Sequence, residues 1–364
     1  MSFRRQSERT RRHLRNLLYS TQLQNRNVIL TLRPDSATLS PHMRAAAILG
    51  LGRSPKHLKP FQAKPSQSPK KIEWHVGMPA SPDEADVILL FGGDGTIHRH
   101  LGQLVRLGLP VLVVPAGSGN DFARALGLRR LRDSLAAWQN FCGSAENLRA
   151  TNFRTIDLGV ISPLAAKGGA SPHEATRYSV LATRYFCCVA GVGLDGEVSR
   201  CANRLPRWLR AHGGYVLSLA PTIFTFSPLP MKILTPAENN NSASGAWTTR
   251  SDRPTILAAI ANSPWYGGGM KIAPRAKLDD GLLDLCIVGA VDPFKLFCMF
   301  PIVYGGRHLG IPEVEYFQAS RVRIETAEPL DIYADGEFVC QTPVEVGVRR
   351  AALRVIVHPS QTSF

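Results

Sequence analysis

The feature that most constrains the fold is an unbroken apolar run, residues 87–91, that stops at the string Gly92-Gly93-Asp94-Gly95-Thr96. Such a run is typical of a buried parallel strand. Apolar residues at helical spacing follow over residues 97–107, so the glycines lie between a strand and a helix. Glycine adopts a positive φ and lets another backbone approach without strain. The pattern therefore predicts a strand, a tight glycine loop and a helix.

A helix start presents unpaired N–H groups and the positive end of the helix dipole, so this loop suits a phosphate group. Asp94 by itself would repel a polyphosphate. Its presence is explained if it holds Mg²⁺, which then bridges to the phosphates. A tight turn with an acidic N-cap is the alternative and would account for two glycines alone. The five-residue string after a buried strand favours a nucleotide.

A second loop supports this interpretation. The apolar strand 111–114 is followed by residues 115–124, whose candidate ligand-binding residues are Gly117, Ser118, Gly119, Asn120 and Asp121. Ligands of open α/β sheets bind outside the carboxyl ends of the strands. Asn120-Asp121 is also an ordinary helix cap, which would be the preferred explanation for that pair alone. Two such loops after two strands predict one shared crevice.

Length and composition limit the class of protein. The 364 residues are enough for two domains, and 44% of them are hydrophobic. Seven cysteines without paired metal-ligand spacing argue against a disulfide framework and favour a reducing cytoplasm. No run approaches the ~18 apolar residues of a spanning helix, and the N-terminus lacks the apolar segment of a secretory signal. We expect a soluble protein.

Charge is concentrated at the N-terminus. Residues 1–71 hold fifteen Lys and Arg against Glu8 and Asp35, which gives +13 of the total net charge of +15. Six arginines within residues 4–15 surround three leucines and suggest a short basic amphipathic helix. A membrane-surface tether, a nucleic-acid arm and a solvated tail are all compatible with this pattern. We favour the tether; nucleic acid is the least favoured because no aromatic residues lie between the arginines.

The sequence pattern divides the chain into three parts. Residues 1–24 form a basic appendage, residues 25–150 alternate strands with helices, as in a parallel α/β sheet, and residues 151–364 have short apolar runs typical of a β-sandwich. In the first domain the pattern predicts a strand at 27–32, helices at 41–51 and 131–141, and a loop at 54–71. In the second it predicts strands at 177–192, 229–234, 255–262, 282–288, 322–326, 330–334 and 353–358, a helical insert at 197–226 and a polar linker at 236–253.

A third candidate site is Asp335-Gly336-Glu337, which follows the predicted strand 330–334. Two carboxylates on either side of a sharp turn can converge, so that one orients the other for proton transfer. The alternative is an ordinary β-hairpin turn, for which Asp-Gly is the strongest short signal. The local pattern alone favours the turn.

These strings belong to an ordered set of motifs. The set comprises residues 92–96, 115–124, 156–159, 193–195, 266–270, 279–284 and 335–337. In this set and order, from about residue 86 to the end, the chain resembles the diacylglycerol kinase catalytic-domain family, which includes bacterial lipid kinases and the sphingosine and ceramide kinases. The resemblance implies an N-terminal α/β domain, a C-terminal β-rich domain whose last strand returns to the first domain, and ATP between them.

The same resemblance implies the chemistry: ATP-dependent phosphorylation of a lipid hydroxyl, most simply diacylglycerol to phosphatidic acid. It assigns Asp94, Asp121 and Asp157 to an aspartate–water–Mg²⁺ network. It assigns the proton acceptor to Asp335, with Glu337 in support. A separate structural Mg²⁺ would bind Lys277, Asp280 and Leu282.

The chain also departs from the family pattern. Its first loop, residues 33–37, lacks the usual glycine, and His98-Arg99 stands where Asn-Glu is common, which affects the expected adenine and ribose contacts. A sphingoid-base or ceramide kinase, an NAD kinase-like enzyme, and a regulator without catalysis remain alternatives. The expected partners are a lipid substrate at the membrane surface and an anionic membrane that binds the basic N-terminus, without nucleic acid. We expect a cytoplasmic, peripherally membrane-associated protein, and a homodimer is left open.

Overall fold

The computed structural model describes residues 27–30, 45–51, 59–62, 73–143, 153–164, 184–205, 214–237 and 246–358. Its strands are β1 Asn27–Leu30, β2 Ala45–Leu51, β3 Glu73–Val76, β4 Val87–Gly92, β5 Val111–Pro115, β6 Arg154–Pro163, β7 Arg184–Phe186, β8 Val189–Gly193, β9 Leu229–Pro236, β10 Trp247–Ala261, β11 Leu283–Gly289, β12 Val314–Ala319, β13 Arg321–Thr326, β14 Asp331–Ala334, β15 Glu337–Gln341 and β16 Val344–Val355. Its α-helices are α1 Lys59–Gln62, α2 Asp94–Leu107, α3 Asp121–Ala125, α4 Leu131–Gly143, α5 Leu194–Arg204, α6 Gly214–Thr225 and α7 Pro293–Tyr304. Short 3₁₀ helices lie at Pro82–Glu84 and His308–Gly310.

The N-terminal half contains a parallel sheet. Strands β3, β2, β4 and β5 pair in parallel in that order, and β1 pairs antiparallel with β2. Every residue of β4 is buried, as its continuous apolar sequence requires. The carboxyl ends of β4 and β5 lie side by side, with Gly92 opposite Pro115. The two glycine loops therefore leave the sheet at adjacent points.

The C-terminal half is antiparallel and sandwich-like. The long strand β10 pairs with β9 along its first part and with β8 and β11 along its second. The buried core of this half includes Phe186, Met231, Ile260, Leu285 and Val346. The predicted class, α/β followed by a β-rich half, is confirmed in the parallel N-terminal strands and the sandwich-like C-terminal ones.

The last strand joins the two halves. β16 pairs antiparallel with β6 and β13, and its final residue, Val355, pairs in parallel with Val111 at the start of β5. The Ile356 N–H then donates to the Val111 carbonyl at 2.8 Å. A second buried core contains side chains of both halves, among them Leu101 and Ala259. The halves therefore form one continuous structure around the predicted site.

The predicted strand 177–192 is divided, within its described residues, into β7 and β8, and the predictions for 41–51 and 236–253 were wrong over larger parts. Residues 45–51 form a strand, not part of a helix at 41–51, because their backbone pairs with β1, β3 and β4 and these contacts override the helical preference of alanine. Residues 247–253, predicted as polar linker, begin strand β10 because they pair with β9. Residue 236 ends strand β9, and residues 41–44 and 238–245 of these two segments lie outside the described residues.

Other parts of the pattern were confirmed or missed. Helices α2 and α4 and the helical insert, now α5 and α6, were predicted. Strands β3, β6, β12 and β15 and helices α1 and α7 were missed; α1 lies inside the predicted loop at 54–71, where Phe61 is buried and its carbonyl accepts from Trp138 Nε1 at 3.1 Å. The basic segment 1–24 and the departing loop 33–37 lie outside the described residues. Among the residues that are described, no helix is long and apolar enough to cross a membrane.

Candidate active site

The two glycine loops form one structure. A Cβ atom on Gly117 would lie 2.4 Å from the Gly93 Cα, and a Cβ on Gly93 would lie 2.5 Å from the Gly119 carbonyl oxygen. The Ala116 N–H donates to the Gly92 carbonyl at 3.1 Å. No larger residue than glycine fits at this contact, because real Cβ atoms do not approach backbone so closely. The predicted shared crevice is therefore built from directly touching backbones.

Asp94 connects the loops through its carboxylate. Its Oδ2 accepts from the Asp121 N–H at 2.9 Å and its Oδ1 from the Phe122 N–H at 3.0 Å. Asp94 is the first residue of α2, and these bonds cap the start of α3, which belongs to the other loop. The sequence allowed two roles for Asp94, a helix cap or a metal ligand. In the structure its carboxylate makes capping hydrogen bonds and also lies at the shared crevice.

Asp121 extends the site to the C-terminal half. Its Oδ2 accepts from the Gly268 N–H at 2.7 Å, and its Oδ1 accepts from the Arg124 guanidinium. Gly268 belongs to the segment 266–270 of the motif set. Arg124 also lies 5.4 Å from the centre of the Trp265 ring. These contacts hold the second glycine loop against the sandwich-like half.

Three carboxylates interact at this crevice. Burial, then the charges of Asp121 and Asp335, raise the pKa of Asp94 to about 7, against the lowering effect of its two backbone hydrogen bonds. Burial also raises the pKa of Asp121, although the Gly268 hydrogen bond and Arg124 act in the opposite direction. A set of oxygen ligands whose charges repel one another in a buried site favours a hard cation such as Mg²⁺.

The other predicted binding residues serve the loops. The side chain of Asn120 donates to the Gly117 carbonyl at 2.9 Å and accepts from the Gly117 N–H at 3.1 Å, which closes the second loop. Thr96 is buried against Gly92. Ser118 is exposed beside them and is the hydroxyl available to a ligand. A Cβ on Gly95 would lie 2.9 Å from Glu337 Oε1, so the first loop also contacts the third motif.

Asp157 lies elsewhere, with the second predicted metal set. Its Oδ1 accepts from the Ala351 N–H and its Oδ2 from the Gly281 N–H, both at 2.7 Å. Gly281 belongs to the turn that contains Lys277, Asp280 and Leu282, where Asp280 Oδ1 accepts from the Leu282 N–H at 3.0 Å. The structure therefore joins Asp157 to this turn, whereas Asp94 is joined to Asp121. The metal roles of all six residues stay predictions.

Asp335 occupies a two-residue hairpin turn between β14 and β15. Asp335 and Gly336 have φ of 51° and 83°, as a type I′ turn requires, so the local turn prediction is correct. Its side chain nevertheless points inward and has no exposed surface. Oδ1 accepts from the Cys188 N–H at 2.8 Å, and Oδ2 accepts from the Cys187 N–H at 2.9 Å and lies 3.2 Å from His98 Nδ1.

Glu337 has a different partner from the one predicted. Its Oε1 accepts from Arg99 Nη2 at 3.0 Å, and neither carboxylate oxygen is bonded to Asp335. The partner of Asp335 is His98, one turn after Asp94 on the same face of α2. The partners of Asp335 and Glu337 are therefore His98 and Arg99, the pair that departs from the family pattern. That departure marks the two residues in the sequence, but it does not indicate which residues they contact.

A cluster of potential metal ligands different from the predicted ones lies around Asp335. Within the described ranges, Cys187, Cys188 and Asp335 are the one set of three potential ligand side chains whose atoms lie within 4.8 Å of one another. The Asp335 oxygens already accept hydrogen bonds there, and burial raises the pKa of both thiols, so the thiolates that bind metals are disfavoured. We assign no metal to this group.

Two cavities lie next to the site. A polar cleft of about 340 Å³ is lined by His98, Arg99, Arg184, Tyr185 and Glu337. An apolar cavity of about 70 Å³ lies between α5, α6 and α7, with side chains such as Ile223 and Phe300 in its wall and Asp195 and Tyr266 at its polar end. No local sequence pattern indicates the apolar cavity, because its walls come from segments that lie far apart in the chain.

Comparison with known proteins agrees with this architecture. Residues 56–161 match the family described as "Diacylglycerol kinase catalytic domain", and residues 188–357 match "YegS C-terminal NAD kinase beta sandwich-like domain". A crystal structure of a diacylglycerol kinase from Bacillus anthracis str. Sterne superposes with a TM-score of 0.51 at 22% identity, covering 76% of this chain and 79% of that one. At that identity the likeness establishes the fold.

The relatives identify the class. The chain is 30% identical over 282 residues to the diacylglycerol kinase of Mycobacterium tuberculosis (strain ATCC 25618 / H37Rv), covering 78% of this chain and 80% of the relative. It is 27% identical over 273 residues to the diacylglycerol kinase of Bacillus subtilis (strain 168), covering 74% and 77%. The chain belongs to the diacylglycerol kinase family of lipid kinases and is a phosphotransferase of that class.

Proposed function

We propose that this protein transfers the γ-phosphoryl group of Mg²⁺–ATP to the hydroxyl of a membrane lipid, most simply diacylglycerol. One observation carries the proposal. Helix α2 begins at Asp94, in the glycine loops, and one turn later reaches the carboxylate of Asp335 through His98. One rigid helix therefore connects the loops suited to phosphate with the carboxylate suited to removing a proton. Phosphoryl transfer needs that arrangement, because it depends on positioning and charge neutralisation.

The residues fit a nucleotide and its metal. The Gly93–Gly117 contact brings the two glycine loops together without side chains between them, and helix α2 starts there, at a position that suits a phosphate. Asp94 and Asp121 supply oxygen ligands; burial is the largest cause of their raised pKa values, and repulsion among Asp94, Asp121 and Asp335 adds to it. When bound, Mg²⁺ neutralises the charge that develops on the phosphates. Asp94 and Asp121 would hold it, and Ser118 is the exposed hydroxyl beside it.

The acceptor approaches from the other side. The apolar cavity is bounded by α5, α6 and α7 and suits the start of an acyl chain. Its polar end lies at Tyr266, whose segment contacts Asp121 through Gly268. An acceptor whose chain enters this cavity would present a hydroxyl toward the crevice. A soluble dinucleotide such as NAD would have no use for an apolar cavity there, so the lipid acceptor is favoured.

The test is transfer of ³²P from labelled ATP. Purified full-length protein is incubated with Mg²⁺ and, in separate reactions, with diacylglycerol, sphingosine, ceramide or NAD in mixed micelles. We expect labelled phosphatidic acid. A labelled sphingoid-base or ceramide phosphate would show that the acceptor is a different lipid, and labelled NADP would show that the acceptor is not a lipid. The absence of a labelled product with every acceptor would contradict the proposal.

A matched variant tests the site within the same assay. Asp335→Asn removes the charge of the carboxylate while keeping its size and one acceptor for the two backbone N–H groups. We expect turnover to fall by about 10²-fold or more while the affinity for Mg²⁺–ATP stays within about twofold. Fluorescent nucleotide binding measures the second quantity. An equal fall in nucleotide affinity and in rate would make Asp335 part of the nucleotide site instead.

A further inference from the structure

The bend between β7 and β8 holds the carboxylate of Asp335. This bend consists of Cys187 and Cys188, which follow the end of β7 and precede the start of β8. Oδ2 of Asp335 accepts from the Cys187 N–H at 2.9 Å, and Oδ1 accepts from the Cys188 N–H at 2.8 Å. Because each carboxylate oxygen accepts from a different N–H group, the backbone of the bend sets the orientation of the carboxylate.

Asn262 fixes the opposite side of the same bend. It follows directly after the last residue of β10 and is fully buried. Its backbone N–H donates to the Cys188 carbonyl at 2.8 Å, and its Nδ2 donates to the Cys187 carbonyl at 3.2 Å. Both cysteines therefore donate their N–H groups to Asp335 and accept with their carbonyl oxygens from Asn262.

The peptide group between Cys187 and Cys188 links the two contacts. This group is trans, so it is planar and its C=O and N–H point in opposite directions. Its carbonyl accepts from Asn262 Nδ2, and its N–H donates to Asp335 Oδ1. The amide of Asn262 and the carboxylate of Asp335 thus hold the two sides of one rigid plane. Rotation of that plane would turn the N–H away from the carboxylate, and the Asn262 amide opposes this rotation.

The Asn262 side chain is itself anchored to β6. Its Nδ2 also donates to the Asp157 carbonyl at 3.0 Å. Within the described ranges Oδ1 has no hydrogen-bond partner, so the two N–H bonds of Nδ2 orient the amide. Asp157 is buried, and its carboxylate accepts from the backbone N–H groups of Gly281 and Ala351. The amide is therefore bonded to a well-held strand on one side and to the bend on the other.

We propose that Asn262 is a positioning residue of this enzyme, which acts on Asp335 through the Cys187–Cys188 peptide group. The inference rests on the proposed lipid-kinase function, in which Asp335 accepts the proton of the lipid hydroxyl. A proton acceptor has to keep one orientation, because a displacement of about 1 Å can lower a rate by about 10²-fold. None of the hydrogen bonds that the structure describes for Asn262 reaches the glycine loops, so we expect nucleotide binding to be independent of it.

Two substitutions and a control test the proposal. Asn262→Ser shortens the side chain, so that it no longer bonds both carbonyl oxygens. Asn262→Asp keeps the size of the amide and, when neutral, has one O–H donor in place of two N–H donors. Thr255→Val is the control, because Thr255 is buried on β10 and its hydroxyl also donates to a backbone carbonyl, that of Arg253 at 2.9 Å. Thermal unfolding of each variant verifies that it is folded.

We expect kcat of Asn262→Ser to fall by about 10- to 10²-fold while KM for Mg²⁺–ATP stays within about twofold, with a smaller fall in Asn262→Asp. Thr255→Val should stay within about twofold of wild-type kcat. When Asp335→Asn is already present, Asn262→Ser should lower kcat by less than about threefold further, because the group through which it acts is lost.

Two outcomes in this assay would overturn the proposal. One is a folded Asn262→Ser protein within about twofold of wild-type kcat. The other is a fall by the same factor with and without Asp335→Asn, since a general structural effect would act equally in both proteins. The same two criteria apply to Asn262→Asp if Asn262→Ser does not fold.

A measurement without substrate completes the experiment. Hydrogen exchange followed by NMR compares the backbone N–H groups of Cys187 and Cys188 with those of Asp121 and Phe122 in the second glycine loop. In Asn262→Ser we expect faster exchange at the two cysteines alone, and unchanged exchange there would overturn the proposal. If wild-type protein phosphorylates no lipid while this local change is observed, the lipid-kinase function has failed and the positioning contact has not. The two failures are therefore distinguishable.

Discussion

Single side chains at this site have two tasks each. Asp94 caps the start of α3 through two backbone N–H groups, and its charge repels Asp121 and Asp335 at the crevice. Asp335 forms an ordinary type I′ turn and at the same time holds His98. A capping or turn role and a functional role are therefore compatible at these two residues. Each carboxylate accepts hydrogen bonds from backbone N–H groups and also interacts with a neighbouring side chain.

The double role of Asp94 leads to a prediction. Asp94→Asn loses one of two backbone hydrogen bonds, worth about 1 kcal/mol, but also removes a buried charge, so the two effects offset. We expect the free energy of unfolding to change by no more than about 1 kcal/mol while turnover falls by at least about 10²-fold. Chemical denaturation and the ³²P assay measure the two quantities. Asp83→Asn, at an exposed position, is the control; near-normal activity of a folded Asp94→Asn protein would contradict the assignment.

His308 provides a pH-dependent prediction. It is 2% exposed in the wall of the apolar cavity, and burial lowers its pKa from the ordinary value of 6.5. The unfolded chain therefore binds a proton more readily than the folded one, and stability is lost as pH falls below about 6.5. His308→Gln keeps an N–H for the Ile272 carbonyl and does not titrate. We expect wild-type protein to lose on the order of 1 kcal/mol more stability than this variant between pH 7.5 and 5.5. Equal losses, measured by urea unfolding, would disprove it.

Among the elements, the strand–glycine loop–helix units decide where ligands bind. The two loops touch at Gly93 and Gly117 and have no room for side chains. Helix α2 then carries Asp94 and His98 on one face, toward the loops and the β14–β15 hairpin. The hairpin adds Glu337, which pairs with Arg99 of the same helix. One helix therefore joins the first glycine motif, at its own start, to two motifs that are far from it in the sequence.

Two glycine substitutions test this element. Gly117→Ala would place a Cβ 2.4 Å from the Gly93 Cα, so we expect a loss of about 1–3 kcal/mol of stability and loss of nucleotide binding. Gly102→Ala lies in the exposed interior of α2 with no atom within 4 Å of the new Cβ. It should raise the free energy of unfolding by about 0.5–1 kcal/mol and leave nucleotide affinity unchanged. Similar effects of both would contradict the close contact of the loops.

For the whole molecule, the feature that bears on lipid access is an exposed apolar face. Helices α6 and α7 surround the apolar cavity, and between them Lys295 is the one charged residue. Their exposed large apolar side chains are Leu217, Phe224, Phe294, Phe297, Ile302 and Tyr304. An exposed apolar patch of this kind, next to a cavity, is typical of a surface that contacts a membrane.

We therefore predict that Phe294→Ser with Phe297→Ser weakens binding to phosphatidylglycerol vesicles and lowers activity on them, while activity on detergent-dispersed substrate is retained. Val76→Ser, at another exposed apolar side chain, is the control. Deletion of residues 1–24 in the same vesicle co-sedimentation assay tests the predicted basic tether, whose contribution should disappear as salt rises. Unchanged sedimentation of the double variant would exclude the α6–α7 face as a membrane contact.

The sequence by itself determined the fold class, the two glycine loops and the positions of Asp94, Asp121 and Asp335. It could do so because buried parallel strands, helix starts and glycine turns are set by residues close together in the chain. Only the tertiary structure decided that residues 45–51 form a strand, that both oxygens of Asp157 accept backbone N–H groups, and that Asp335 meets His98 instead of Glu337. Those outcomes depend on which distant backbone and side-chain groups each residue meets in the fold, and local sequence patterns carry no information about them.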